Sequence, residues 1–268
     1  MDEIKKFAVI GIPIKHSLSP KIHKEFAKQH GLNIQYKMIE PDSEEHFETH
    51  TQSFFSKKGY GANITIPFKE KAFLFADIHD ESTIECGCAN TLVSQENKIK
   101  SFNTDGEGFI NDLTIKKIEL LNKKILVIGA GGSARSIINS LIKNNIDKID
   151  ILSKTKERVD LLVDKYKDKS NIFNYEDGSS YDLVINTTPV SLTNEEINFP
   201  TNIFNKISIS YDLFYSKNIT NFQTWSKNNG ATKAYDGLGM LIEQAALSYR
   251  IWNSFEPSTK DLKNKLGF

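Results

Sequence analysis

One stretch limits what this chain can fold into: Ile125-Leu126-Val127-Ile128-Gly129-Ala130-Gly131-Gly132-Ser133-Ala134-Arg135. Four apolar residues, three of them β-branched, predict a buried strand of a parallel sheet. Glycines follow at once, and then apolar residues at helical spacing: Ala134, Ile137, Ile138, Leu141 and Ile142. A strand that turns through Gly-x-Gly-x-x-Ala into a helix is the dinucleotide-binding fingerprint. The first glycine permits the tight turn, the second lets backbone approach a pyrophosphate, and the small third residue lets helix and strand pack closely. The helix N-terminus then offers N–H groups and a positive dipole end to the phosphates.

At 268 residues there is room for two modest domains, and 39% apolar with 25% charged residues suits a globular chain. Lys+Arg and Asp+Glu balance at 34 each, so no global field favours nucleic acid or an anionic membrane. No apolar run approaches the ~20 residues needed to span a bilayer. Met1-Asp2-Glu3-Ile4-Lys5-Lys6 leads into a strand-like run and does not resemble a secretory signal, so a cytoplasmic location is expected. Cys86 and Cys88 are spaced for neither an unstrained disulfide nor a zinc site, which predicts two free thiols and no metal.

Before the glycine loop the chain already alternates strand and helix. Phe7 to Gly11 predicts a strand, followed by a polar loop and a helix bearing Ile22, Phe26 and Ala27, with Ser19 as N-cap and Pro20 as its first residue. Ile34 to Ile39 predicts a second strand, 43–56 an amphipathic helix and 62–66 a third strand. Pro67 is expected to open the next helix, 68–77. Residues 91–94 and 98–102 pair as a hairpin. A helix beginning at Asn103-Thr104-Asp105-Gly106 precedes the glycine loop, and βαβ repetition of the doubly wound kind follows it. A last helix, 238–252, either extends the nucleotide domain or returns to the first.

Polar residues gather at the predicted strand ends of the first half. They are His16, Ser17 and Ser19; Asn63, Thr65 and Lys69; and Asn90, Thr91, Asn103, Thr104 and Asp105. Residues outside the carboxyl ends of strands line the ligand crevice of open α/β sheets. Hydroxyls and amides with one Lys and one Asp suit a small polyhydroxylated substrate. Each residue has a plainer reading too: Ser19 as a cap, Asn63 and Asn90 as turn formers, Lys69 as a solvated helix residue. Lys69 falls in the first turn of its predicted helix, where the dipole opposes a cation by roughly 0.3–1 kcal/mol at exposed sites. Beside Asp105 it would form the acid–base pair that a carbonyl/alcohol interconversion requires. About 20 residues beyond the glycines, where NAD enzymes place an acidic residue, the chain reads Ser153-Lys154-Thr155-Lys156-Glu157-Arg158. Cations and hydroxyls there would bind a 2′-phosphate that a carboxylate would repel, which favours NADP over NAD.

With these residues in view, the chain resembles the shikimate dehydrogenase family along nearly its whole length. The likeness is carried by 11–20 (Gly-Ile-Pro-Ile-Lys-His-Ser-Leu-Ser-Pro), 61–69 (Gly-Ala-Asn-Ile-Thr-Ile-Pro-Phe-Lys), Asn90-Thr91, Asn103-Thr104-Asp105-Gly106, the glycine loop, Tyr211-Asp212-Leu213-Phe214-Tyr215 and Asp236-Gly237-Leu238-Gly239-Met240-Leu241. The resemblance implies NADPH-dependent reduction of 3-dehydroshikimate to shikimate. It implies two α/β domains with a cleft between them: a substrate-binding catalytic domain, 1–103 completed by 237–268, and a Rossmann NADP-binding domain, 104–236. It further implies that Ser17 and Ser19, aided by Tyr215, hold the substrate carboxylate. Asn63, Thr65, Lys69, Asn90, Asp105 and Gln244 would wall the ring hydroxyls, with Lys69 and Asp105 as the catalytic pair. Gly129, Ala130, Gly131, Gly132, Ser133 and Ala134 would cradle the pyrophosphate, Ser153, Lys154, Thr155 and Arg158 the 2′-phosphate, and Leu213 and Gly237 would neighbour the nicotinamide.

Three departures from the family pattern stand out. Lys154 replaces the usual Arg, keeping the charge but losing the planar fork and its stacking. Ser191 stands where Gly is usual; if φ is positive there, Ser costs about a kcal/mol and the loop near the nicotinamide shifts. Cys88-Ala89 precedes Asn90, where small apolar residues are usual. Two other readings follow: a quinate/shikimate dehydrogenase preferring NAD, and a non-catalytic NADP-binding regulator. The family contains both monomers and homodimers.

Overall fold

Runs of β-branched and aromatic residues alternate with helical segments throughout, and each run finds a place in one of two sheets. The computed structural model describes residues 4–193 and 195–268; Met1, Asp2 and Glu3, used above in reading the N-terminus, lie outside the described residues. The chain divides into two compact units. Residues up to Gly108 with Ile242–Phe268 form one, and Phe109–Leu241 the other.

The first unit carries β1 (Lys5–Ile10), α1 (Ser19–Gln29), β2 (Ile34–Ile39), α2 (Phe47–Ser56), β3 (Gly59–Ile64), α3 (Lys69–Phe75), β4 (Ile78–His79), α4 (Glu81–Cys86), β5 (Thr91–Gln95) and β6 (Lys98–Phe102). Helix α5 (Asp105–Ile115) starts in this unit and ends in the second. The second unit continues with β7 (Lys124–Ile128), α6 (Gly132–Leu141), β8 (Lys148–Leu152), α7 (Lys156–Tyr166), β9 (Ile172–Asn174), β10 (Tyr181–Asn186), α8 (Val190–Thr193), β11 (Phe204–Asp212), α9 (Asn221–Asn228) and β12 (Lys233–Tyr235). Helix α10 (Leu238–Asn253) begins in the second unit and ends in the first, where α11 (Leu262–Leu266) follows.

The first sheet runs β2-β1-β3-β5-β6-β4. β1 is parallel to β2 and β3, whereas β5 is antiparallel to both β3 and β6. That reversal has a consequence for chemistry. Asn63 near the end of β3 pairs with Thr91 at the start of β5, and Thr91 pairs with Phe102 at the end of β6. Three chain segments therefore deliver their polar residues to one edge. The second sheet, β12-β11-β10-β7-β8-β9, is parallel at every pairing. Its order reverses between β7 and β10, the topological switch point of a doubly wound fold.

Apolar faces close both units. Phe7, Val93 and Trp252 pack together in the first, with the Phe7 and Trp252 rings stacked at 4.8 Å and the indole N–H donating to Leu92 O at 3.0 Å. Each such side chain contributes about 1.5–3 kcal/mol by leaving water. In the second unit, Ile125 and Val127 of β7 face Ala134, Ile137, Ile138 and Leu141 of α6, as the 3.6-residue spacing requires.

Two local expectations are corrected. Ser19 is the first residue of α1, not its cap; Leu18 takes the N-cap place without a side-chain bond. Pro67 does not open a helix, because a cis Ile66-Pro67 bond sits in a turn closed by Phe68 N–H to Thr65 O at 2.9 Å. α3 then starts at Lys69, and β3 ends at Ile64 rather than at 66.

Gly108 sets the approach of α5 to α10. A Cβ there would lie 2.6 Å from Gln244 N and 2.7 Å from its Cβ. Gly108→Ala is expected to destabilise the protein by about 1–3 kcal/mol through overpacking, against the up to ~1 kcal/mol that Ala gains over Gly in a helix. Urea unfolding reads this directly, and an unchanged midpoint would mean that the two helices can part freely.

Candidate active site

Lys69 and Asp105 are each the first residue of a helix, α3 and α5. Lys69 Nζ donates to Asp105 Oδ2 at 2.7 Å, with the two side chains only 13% and 7% exposed. The carboxylate gains from the dipole at the start of α5, whereas the ammonium is opposed by that of α3. Asp105 Oδ1 accepts from Asn90 Nδ2 at 2.9 Å, so both carboxylate oxygens have donors. The backbone N–H of Asp105 donates to Asn103 Oδ1 at 3.1 Å.

From Asn90 the hydrogen bonds continue inward. Its Nδ2 lies 2.9 Å from Thr104 Oγ1 and 3.1 Å from Gln244 Oε1, and its Oδ1 accepts from Thr104 N–H at 2.8 Å and Thr91 Oγ1 at 3.0 Å. Thr91 Oγ1 meets Ser248 Oγ at 2.8 Å, and Asn63 Nδ2 donates to both, at 3.2 and 3.0 Å. Asn63 Oδ1 accepts from Tyr36 Oη at 2.7 Å and faces His23 Nε2 at 3.1 Å. An amide oxygen only accepts, so Nε2 carries the imidazole proton. His23 Nδ1 is buried and has no hydrogen-bond partner among the described residues.

The substrate residues expected from the sequence fall mostly into this unit. Asn63, Lys69, Asn90, Asp105 and Gln244 are joined in the one network. Ser17 and Ser19 stand at the entrance of α1, linked by Ser19 N–H to Ser17 Oγ at 3.3 Å. Burial pushes the Tyr36 phenol well up, and a Ser19 hydrogen bond pulls the other way. Thr65 is half-buried in the turn before α3, and its methyl comes so close to Gly11 that a Cβ there would lie 2.3 Å away. Tyr215 belongs to the second unit, its ring stacked with Phe214. Thr91 and Thr104 are buried members of the network, while His16 is exposed. His23, Tyr36 and Ser248 were not singled out from sequence. Two left a signal: His23 interrupts the apolar face of α1, and Ser248 follows Gln244 by one helical turn.

In the second unit, Gly129 has φ +115°, and a Cβ there would meet Thr187 Oγ1 at 2.2 Å. Gly131, the N-cap of α6, makes no side-chain cap and has open space where a Cβ would stand. A pyrophosphate fits such a cradle. Gly129 N–H donates to Leu152 O at 2.8 Å, which ties the loop to the end of β8. Just beyond lie half-buried Ser153 and exposed Lys154, Thr155 and Arg158. The carboxylate on β8, Asp150, is buried two residues before the strand ends and accepts from Tyr181 Oη at 2.6 Å. Gly237 passes so near Leu213 that a Cβ would lie 2.1 Å from its carbonyl oxygen. Cys86 and Cys88 are buried thiols, Cys86 Sγ donating to Cys88 O at 3.2 Å, and no group of three metal-ligating side chains occurs among the described residues.

Comparison with known proteins finds relatives along nearly the whole chain. Three family models match in order: the shikimate dehydrogenase substrate binding domain over residues 9–92, shikimate/quinate 5-dehydrogenase over 112–194, and the shikimate 5′-dehydrogenase C-terminal domain over 237–266. A relative from Shewanella halifaxensis (strain HAW-EB4), shikimate dehydrogenase (NADP(+)), is 39% identical, with 98% of this chain and 95% of its own covered. This chain belongs to the shikimate dehydrogenase family. Among solved structures, shikimate dehydrogenase from Aquifex aeolicus has a TM-score of 0.88 at 30% identity, covering 100% of this chain and 99% of its own. Shikimate 5-dehydrogenase from Thermus thermophilus, in complex with NADP(H) and shikimate, has a TM-score of 0.86 at 28% identity, covering 97% and 98%.

Ser191, read from the sequence as standing in place of a glycine, is not strained. It lies within α8, in right-handed helical backbone, so the expected cost of a positive φ does not arise. Its hydroxyl donates to Asp212 Oδ2 at 2.6 Å and accepts from Phe222 N–H at 3.2 Å.

Burial lowers the His23 pKa to about 3, with its Asn63 hydrogen bond opposing. The unfolded chain binds a proton at His23 near pH 6.5 and the folded one does not, so stability falls as pH drops from 6.5 toward 3. This one group imposes a slope of up to about 1.4 kcal/mol per pH unit in that window. His23→Gln keeps a donor toward Asn63 without titrating. The gap between wild type and variant in urea unfolding free energy is therefore expected to change at that slope below pH 6.5; parallel pH curves would refute it.

Proposed function

We propose that this chain catalyses the reversible NADPH-dependent reduction of 3-dehydroshikimate to shikimate, a step of aromatic amino acid (chorismate) biosynthesis. The observation that carries the reading is the 2.7 Å Lys69–Asp105 pair, with the second carboxylate oxygen held by Asn90 and Asn90 in turn by Gln244. An ammonium has three donors in tetrahedral array, one of which points at Asp105. Bound NADPH supplies a hydride to the carbonyl carbon. Lys69 donates a proton to the carbonyl oxygen as it becomes an alcohol, and in the reverse direction takes the proton back. Asp105 holds the ammonium in place and shares the substrate hydroxyl.

Around this pair, Thr65, Asn90 and Gln244 hydrogen-bond the ring hydroxyls, and Asn63 supports that wall through Thr91 and Ser248. Ser17 and Ser19 bind the substrate carboxylate, with Tyr215 assisting. Residues 129–134 hold the pyrophosphate by backbone N–H groups. Ser153, Lys154, Thr155 and Arg158 hold the 2′-phosphate, a role that the exposure of the last three and the absence of a carboxylate at the β8 terminus support. Leu213 and Gly237 flank the nicotinamide. The enzyme works on small molecules in the cytoplasm, as a monomer or homodimer, with no nucleic acid or membrane partner; no helix among the described residues is long and apolar enough to cross a membrane.

Initial rates with shikimate or quinate, each with NADP or NAD, test the assignment: shikimate with NADP is expected to give the highest kcat/KM. A preference for quinate with NAD would replace it by the alternative that Lys154 suggests, and NADPH binding without turnover by a regulatory role. Lys69→Ala is expected to lower kcat about 10²- to 10⁴-fold, the usual contribution of a general acid, while the KM for shikimate changes far less. Near-normal turnover would remove Lys69 from the proton transfer.

A further inference from the structure

Asp212, the last residue of β11, is completely buried, and four neutral donors surround its carboxylate. Oδ1 accepts from Asn186 Nδ2 at 2.9 Å and from Phe214 N–H at 3.2 Å. Oδ2 accepts from Ser191 Oγ at 2.6 Å and from Thr220 Oγ1 at 2.7 Å. These donors come from the end of β10, the segment after β11, helix α8 and the N-cap of α9. Burial raises the carboxyl pKa while the hydrogen bonds lower it. A buried carboxylate without a cation is costly, and it persists only where its hydrogen bonds are complete.

The geometry around Asp212 extends to both ends of the cofactor-facing surface of this unit. On one side, Leu213 N–H bonds Asn186 O at 2.9 Å, and Phe214 O accepts from Gly237 N–H at 3.0 Å. On the other, Asn186 Oδ1 accepts from Thr188 N–H and Oγ1 at 3.1 and 2.7 Å. The Thr187 hydroxyl next to it donates to Ile128 O at 2.8 Å, beside Gly129. One carboxylate thereby fixes residues 213–215 relative to the glycine loop.

We infer that Asp212 is a positioning residue for residues 213–215, the segment that carries Leu213 toward the nicotinamide, and that Ser191 is a donor that holds it there. The inference rests on the proposed reaction. It separates two parts of cofactor binding. The 2′-phosphate end depends on residues 153–158, which the Asp212 cluster does not touch, whereas the nicotinamide end depends on 213 and 237.

The test uses full-length wild type, Asp212→Asn and Ser191→Ala, with Kd measured by titration calorimetry for NADPH and for adenosine 2′,5′-bisphosphate, which lacks the nicotinamide half. Asp212→Asn is expected to weaken NADPH about five- to tenfold, the equivalent of one or so buried hydrogen bonds, with affinity for the bisphosphate unchanged. KM for NADPH and shikimate should rise more than kcat falls. Ser191→Ala, which removes a hydroxyl and with it the bonds to Asp212 and to Phe222 N–H, should show the same split at smaller amplitude, and it serves if the Asn variant does not fold. Equal weakening of both ligands would make the cluster merely structural and overturn the inference, as would unchanged NADPH affinity in both variants. If wild type bound neither ligand, the proposed reaction would fall and this inference with it; if wild type bound both and only the split were missing, this inference alone would fail.

Discussion

The polar chemistry of the first unit depends on one buried amide, that of Asn90. The strands place it: Asn90 N–H donates to Phe102 O at 3.1 Å and its carbonyl accepts from Ile64 N–H at 2.8 Å. The side chain then reaches Thr104, Asp105 and Gln244 with its nitrogen and is held by Thr91 and the Thr104 backbone at its oxygen. Removing one partner from such a cluster leaves others unsatisfied, at about 1–3 kcal/mol for each buried group. The ion pair shares this dependence. Two charges so little exposed are stable together only when the remaining lone pairs are satisfied, and at Asp105 Oδ1 Asn90 does that.

Asp212 has the corresponding place in the second unit. Both residues sit at a strand end, Asn90 just before β5 and Asp212 last in β11, both are buried, and both gather hydrogen bonds from three or more chain segments. The units differ in what they present. The first builds its site from side chains on a sheet in which β5 runs against β3; the second presents backbone N–H groups at Gly131 and α6, with side chains concentrated after β8. Neutral hydroxyls and amides match a small polyol, and backbone dipoles match a pyrophosphate.

The parts legible in sequence are those where one residue type has few other uses. The glycine at 129 falls where the turn requires it, with φ +115°, whereas Gly131 has an ordinary negative φ, and the βαβ rhythm from 125 onward is a parallel sheet of the doubly wound kind. Residues 34–39 are a strand with the boundaries read from their pattern. The misreadings have local physical causes. Ser19 looks like a cap because Pro20 follows it, but capping needs its oxygen aimed at a backbone N–H, and Tyr36 packs against it instead. At 191 serine would be costly only at positive φ, a condition that the helical backbone of α8 does not meet. β4, β9 and β12 are two or three residues long, too short to show a period. His23 shows in the sequence only as a polar break in the apolar face of α1, which does not reveal that the ring is fully buried.

Precision at Lys69 follows from this construction. A lysine side chain has many rotamers, and fixing its ammonium costs up to about 2 kcal/mol in conformational entropy. Holding one N–H against Asp105 confines the other two to a cone about that bond. Asp105 cannot turn to follow, because Asn90 occupies its other oxygen and Asn103 accepts from its backbone N–H. Asn90 cannot turn either, since the ladders through β3 and β6 fix its backbone. The direction in which the Lys69 ammonium points is therefore inherited, through two rigid side chains, from the register of the sheet.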